Sequence, residues 1–460
     1  MRKTKQITAL LLAGLMLTLT ACGSSTSDSN TGTDSADSAE SGTAAGSGEQ
    51  GKVLRIYSWN EEFKDYFDEY YTPKLPEGVE VEFVITPNEG NGYQDKLDAD
   101  IVNNVGADNP IDIFLTEADY AIKYVNSDYV LDIKKDIGLT DEELSDQYEY
   151  TQKIGSDTGG VLRGVAWQAT PGLFAYRRSI AKDVLGTDDP KEVQAALADW
   201  DKFDAVAEKA AAKGYKMLSG FDDSYRTFSN NVSASWVDAD NKIVIDPNIM
   251  RWVEQTKDYT DKGYNNKTSL WAPEWSADQG PAGKVFGFFY STWGINFTLL
   301  ENSLADASGE KKVGNGAYGD YAVCEGPQNY YWGGCQIHGA VGSDNIDLVH
   351  DVMYDFTCNA EFMKTLTLDY LDYTNNKTAM GELANDPNYG SDFLGGQNHI
   401  ALFAEAAPGI DPQFMGPYDQ GLNESFQGAM VDYFNGTVDL DKALANFYSS
   451  AIEKYPALHE

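Results

Sequence analysis

Of the nine tryptophans in this chain, several stand next to side chains that could hold a polyhydroxylated molecule. Trp59 is followed by Asn60 and Glu61, Trp167 by Gln168, and Trp332 by Gly333 and Gly334. Glu117 and Asp119 follow the apolar run "DIFL", and Trp293 follows "FGFFYST". An indole face alternating with planar polar groups suits a pyranose ring, whose C–H faces lie on an aromatic plane while its hydroxyl rim needs paired donors and acceptors. Glycines let a ligand or a second backbone come close, so Trp332 is expected to be an open platform with Gly333 and Gly334 as clearance. A tryptophan at a strand end can equally cap a core. Asn398 in "GGQN" and Asp419 in "PYDQ" are further candidates, although Asn and Asp beside Gly or Pro are commonly turn residues.

These side chains need elements to present them. "KVLRIYSW" (52–59) reads as a buried strand, "VEVEFVI" (79–85) alternates with period two, and "PIDIFLTEADY" (110–120) is a short apolar strand ending in carboxylates. Helical patterns lie between and after them, at 63–71 and at Tyr93, Leu97 and Ile101. Strand and helix in alternation imply an α/β fold with a parallel sheet covered by helices. Ligands of such sheets bind outside the carboxyl ends of the strands, where Trp59, Glu117, Trp167 and Trp293 are expected.

A second set follows "GGVLRGVAWQATPGLFAYRRSIA" (159–181). Asp189 and Pro190 start a helical pattern that runs to Gly214, with a break predicted near 199–201. "YKMLSG" (215–220) and "KVFGFFYS" (284–291) read as strands of a second sheet. Leu440, Leu444, Phe447, Ala451 and Tyr455 mark one face of a last helix.

Enzyme signals are thin. There is no G-x-S-x-G, H-E-x-x-H, P-loop or EF-hand spacing, and no motif for a cofactor. The four histidines, His338, His350, His399 and His459, show no metal-ligand spacing. A glycoside hydrolase needs only two carboxylates, which keeps that class open as an alternative.

The N-terminus carries Arg2, Lys3 and Lys5, then a short apolar stretch, then Leu19, Thr20, Ala21 and Cys22. This reads as a secretory signal over 1–21, whose apolar stretch of about 15 residues is shorter than a membrane-spanning helix. Leu19 to Cys22 resembles a bacterial lipobox, in which Cys22 becomes the lipidated N-terminus. Residues 22–51 hold no large apolar side chain and are expected to be a flexible tether with a reach of roughly 30 Å.

The formal net charge is −38, and removing the signal makes it more negative still. So acidic a surface makes nucleic acid and anionic lipid poor partners and favours solubility outside the cell. Cys324, Cys335 and Cys358 are too few for a disulfide scaffold. Whether Cys324 and Cys335 pair across "EGPQN" is left open by their spacing.

Taken together, "YSWNEEF", "FLTEADYAIKYV", "WQATPGLFAYRRSIA", "YYWGG", "LGGQN" and "YDQ", in this order behind a lipobox, resemble the extracellular solute-binding proteins of family 1, clostridial-type subgroup. The resemblance covers essentially the whole body. It implies a two-lobed periplasmic-binding-protein-like fold of type II, with discontinuous lobes over 52–166 with 336–395 and over 167–335 with 396–460. It further implies a monomer on the outer face of the cytoplasmic membrane that catalyses nothing, binds a sugar between its lobes and delivers it to the transmembrane subunits of an ABC importer. By position, Asp119 matches a carboxylate that binds sugar hydroxyls, Trp293 a stacking tryptophan and Trp332 a residue of the cleft wall. Cys335 departs from the Thr or Ser of many relatives. "IYSWNEEF" also resembles polyamine-binding relatives, so a polyamine is the alternative ligand.

Overall fold

The computed structural model describes residues 51–460. The signal, Cys22 and all but the last residue of the tether lie outside them. Two sheets organise the described chain. The first is built from β1 (Val53–Ser58), β2 (Glu80–Ile85), β3 (Ile113–Glu117), β4 (Val165–Ala166) and a later strand, β8 (Cys335–Gly339), in the order β2-β1-β3-β8-β4. The second is β5 (Gly172–Arg177), β6 (Gly287–Ser291) and β7 (Tyr321–Cys324), in the order β6-β5-β7. β1 runs parallel to β2 and β3, as the strand and helix alternation requires, and β8 enters antiparallel between β3 and β4.

Each sheet has its own core. Leu54 and Ile56 of β1 pack with Ile113, Leu115, Ile337 and the helix Ile346–Thr357, while Tyr57 faces the other way onto Tyr93, Leu97 and Phe114. Both faces of β1 are thus covered, which is why its sequence reads as a nearly continuous apolar run. The second core gathers Leu173, Phe174, Phe288, Tyr290 and Val323 with the helices Trp200–Ala212, Asp419–Phe434 and Leu440–Lys454. The break predicted near 199–201 is there: one helix is Pro190–Leu197, and Asp199 caps the next by accepting from the Lys202 amide.

One expected strand is absent. Residues 215–220 make only single bridges, Lys216 to Val285 and Gly220 to Thr268. The Asp223 carboxylate takes the amides of Ser219 and Gly220, at 2.7 and 2.8 Å, and so withdraws them from any ladder.

Among the described residues the chain passes between the two halves three times, at 167–171 and 325–334 between the sheets and at 371–376 from the first core to the second. Residues 377–395, allotted to the first lobe by the sequence reading, pack on the second core through Ala379, Met380, Leu383, Phe393 and Leu394. The crossings bond to one another: Gln168 bridges Thr374, Pro171 bridges Tyr331, the Thr170 hydroxyl donates to the Gly333 carbonyl at 2.7 Å, and the Asn375 amide donates to the Trp167 carbonyl at 3.0 Å. Cys324 and Cys335 lie on different sheets, and both are free thiols, as is Cys358.

Candidate ligand-binding cleft

β1 releases the chain at Ser58, whose hydroxyl donates to the Asn60 carbonyl at 2.9 Å and bends the turn. Trp59 then lies edge-on to Tyr93 and Tyr120, while Asn60 and Glu61 are exposed. β3 ends at Glu117, which caps the helix Ala118–Val125 by accepting from the Asp119 amide at 2.8 Å. Burial, followed by the nearby Asp119 charge, raises the Glu117 carboxyl above the ordinary range, with Arg226 acting in the opposite sense.

Asp119 itself reaches across to the second sheet's half of the molecule. Both its oxygens accept from the Arg226 guanidinium, Oδ1 at 2.8 Å and Oδ2 more closely. Arg226 rises from the short helix Tyr225–Ser229, and its guanidinium carbon lies 5.3 Å from the Trp332 ring centroid. That geometry is a cation on an indole face, held by a carboxylate from the opposite lobe.

The crossing 325–334 forms the wall. The Trp293 indole donates to the Trp332 carbonyl at 3.0 Å, and the two rings meet edge-on at 5.3 Å. Gly333 and Gly334 have φ of +80° and +112°. A Cβ on Gly333 would stand 3.1 Å from Trp293 Nε1 and 3.3 Å from Glu117 Oε1, so with its positive φ the position favours glycine and lets these two groups close on the wall. Trp332, however, is no open platform. It is 8% exposed, belongs to the second core and stacks at 14° on Tyr290.

Under the wall, Gln168 Nε2 donates to Asp372 at 2.7 Å and to Glu62 at 3.4 Å, joining two crossings to the first lobe. Burial holds both carboxyls above the ordinary range, and Asp372 adds to the rise at Glu62. Asp419 opens the helix Asp419–Phe434. One of its oxygens accepts from the Gly416 amide at 3.0 Å; the other is buried and accepts from no donor among the described residues. Burial, with Asp119 nearby, pushes this carboxyl up to about 7. Asp119, Arg226, Tyr331 and Asp419 line one cavity of about 50 Å³.

Two expected site residues do other work. Trp167 is fully buried in the first core, edge-on to Tyr66 at 5.1 Å, because the crossing that follows β4 turns it inward. Asn398 caps the helix His399–Ala406, accepting from the Ala401 amide and donating to the Leu383 and Ala384 carbonyls. Sequence reasoning missed Glu62, Arg226 and Asp372, although "WNEEF" holds Glu62 beside a named candidate. Among the described residues, no His, Cys, Asp and Glu group is arranged to hold a metal ion, and no helix is long and apolar enough to cross a membrane.

Residues 71–332 match the family model of the bacterial extracellular solute-binding proteins. The chain belongs to that family. No curated protein matches this solute-binding protein by sequence. Among solved structures, it is similar to an extracellular solute-binding protein of family 1, with 17% identity and a TM-score of 0.73 over 87% of this chain and 99% of that one. It is also similar to the galacto-N-biose/lacto-N-biose I-binding protein of an ABC transporter from Bifidobacterium longum, in complex with lacto-N-biose, with 13% identity and a TM-score of 0.68 over 90% and 100% of the two chains. A third is the ABC-transporter-associated binding protein from B. animalis subsp. lactis Bl-04 in complex with β-1,6-galactobiose, at 17% identity and a TM-score of 0.63 over 88% and 98%. The fold is therefore the two-lobed α/β fold of periplasmic-binding-protein-like receptors. In the present arrangement the lobes touch through Asp119 and Arg226, and the cavity they leave is far below the ~300 Å³ of a small-molecule pocket.

Proposed function

We propose that this solute-binding protein is a lipid-anchored receptor, tethered through Cys22, that encloses a sugar or oligosaccharide between its lobes and hands it to the transmembrane subunits of an ABC importer. The observation that carries this reading is the meeting of the partly exposed Trp293 and of Gly333 on the wall with Glu117 from the first lobe, beside the Asp119–Arg226 pair that spans the lobes. Aromatic faces against paired acceptors fit a pyranose, and solved proteins of the same fold hold lacto-N-biose and β-1,6-galactobiose. Ligand favours the closed form because only there do both lobes contact it, and the importer reads that closed surface. No bond in the ligand is broken. Titration calorimetry across a glycan panel tests the binding; release of reducing ends from a bound oligosaccharide would instead make the protein a glycoside hydrolase.

A second reading has its own support. Glu62, Glu117, Asp372 and Asp419 converge near the crossings, and a cation already lies on Trp332. A polyamine could use the same groups. Spermidine binding that weakens steeply with salt, with no heat from any glycan, would establish that reading in place of the sugar.

A further inference from the structure

Five non-glycine residues among those described have φ near +60°, and two of them, Lys267 (+62°) and Trp271 (+68°), lie five residues or fewer apart in one loop. Trp271 stands third in a turn closed by the Ala272 amide donating to the Ser269 carbonyl at 3.1 Å. That position with positive φ calls for glycine or asparagine, and a bulky aromatic there is an outlier whose Cβ crowds its own backbone. The loop is pinned around it: Leu270 N donates to Asp222, Phe221 N to the Thr268 carbonyl, the Thr268 and Ser219 hydroxyls bond at 2.7 Å, and Asn266 donates to Asp278.

The strained residue is not itself buried. Trp271 is 55% exposed, and it is the one exposed tryptophan among the described residues. Its ring stacks on Trp293 at 20° and 6.1 Å, meets Trp275 at 5.3 Å and tilts against Trp332 at 5.9 Å, which leaves much of its surface to solvent. Beside it an open depression of about 440 Å³ is lined by Asn266, Lys267, Thr268, Ser269, Glu274 and Asp278, with Ala272. From Asp119 outward the groups follow in order: Arg226, then Trp332 at 5.3 Å, then Trp271 at 5.9 Å. An indole held in a glycine conformation at the rim, next to amides, hydroxyls and carboxylates, repeats the chemistry of the cleft wall one step further out.

We infer that Trp271 is an outer platform for a sugar residue beyond those enclosed, so that the receptor selects oligosaccharides over disaccharides. The inference rests on the sugar-binding reading. It is tested by calorimetry on the mature full-length protein with maltose and maltopentaose, cellobiose and cellopentaose, and xylobiose and xylopentaose, backed by a glycan array. In the series that binds, the pentasaccharide is expected to bind about tenfold tighter than the disaccharide, as one added aromatic contact allows. Trp271→Gly, which relieves the backbone, is expected to bring that ratio towards one without lowering the thermal midpoint, and Trp271→Phe to restore part of it. A ratio near one in the unmodified protein, or a ratio that survives Trp271→Gly, overturns the inference while leaving sugar binding intact. No binding to any glycan of the array overturns the sugar reading, and this inference with it.

Discussion

Asp119 and Arg226, 107 residues apart in the chain, form a two-pronged ion pair that ties the helix after β3 to the lobe carrying the wall. The side chains are 29% and 27% exposed, so the pair is partly screened, and its coupling in a double-mutant cycle is expected to be about 1 kcal/mol. As it spans the lobes, its main effect is on their equilibrium. Arg226→Ala is expected to increase the radius of gyration of the ligand-free protein in small-angle scattering, and 1 M salt to do the same to the unmodified protein. Unchanged scattering in both would show that the pair does not hold the lobes together.

Stability should fall as pH rises through neutrality. Asp419 goes from 3.8 to about 7 on folding, so between those values the folded state binds more protons than the unfolded one. Its contribution is complete below the unfolded value and lost as pH climbs to the folded one; Glu62, Glu117 and Asp372, also raised by burial, act in the same direction. The ligand-free thermal midpoint is expected to drop between about pH 5 and pH 7.5, and Asp419→Asn to flatten part of the drop. A profile identical in the variant would remove Asp419 from the account.

Trp332→Ala should damage both folding and binding. The ring is buried against Tyr290, Trp293 and Trp271, and its removal is expected to cost about 3 kcal/mol, read by denaturant unfolding. Trp293→Ala, at a partly exposed ring, is expected to cost less stability than that while still weakening ligand binding.

Asn398→Ala separates a cap from a binding residue. It is expected to lower stability by about 1 kcal/mol and leave ligand affinity unchanged. A loss of affinity without a loss of stability would return Asn398 to the cleft.

The thiols give a simple count. Cys324 is buried, and its thiol is pushed up to about 12; Cys335 is likewise buried and raised. The folded protein is expected to react slowly with a thiol reagent, and the unfolded, unreduced body to show three thiols. One reactive thiol would mean a bridge.

Local patterns in the sequence carried β1, β2, β3 and the paired helices from Pro190, because burial on a regular period leaves its mark on neighbouring residues. They placed Glu117 at the end of a strand with Asp119 just after it, whereas Gly333, expected as clearance for a ligand, stands against Trp293 and Glu117. They did not carry Arg226, whose meaning comes from a partner in another lobe, nor Asp372, which a crossing brings beneath Gln168. Trp167 and Trp293 look alike in sequence, each following an apolar strand. Only the turn of the crossing sends the first into a core and leaves the second partly exposed. Trp271 was hidden for the opposite reason, since its turn position is one where glycine would be expected.

The three crossings are bonded side by side through Gln168 with Thr374, Pro171 with Tyr331, and Thr170 with Gly333. Joined ribbons flex easily across their plane and resist shearing along it, because shear would break the bonds between them. The two lobes are therefore expected to move as a pair of jaws on a flat spring. In such a motion Asp119 would return to Arg226 in the same alignment each time the lobes close.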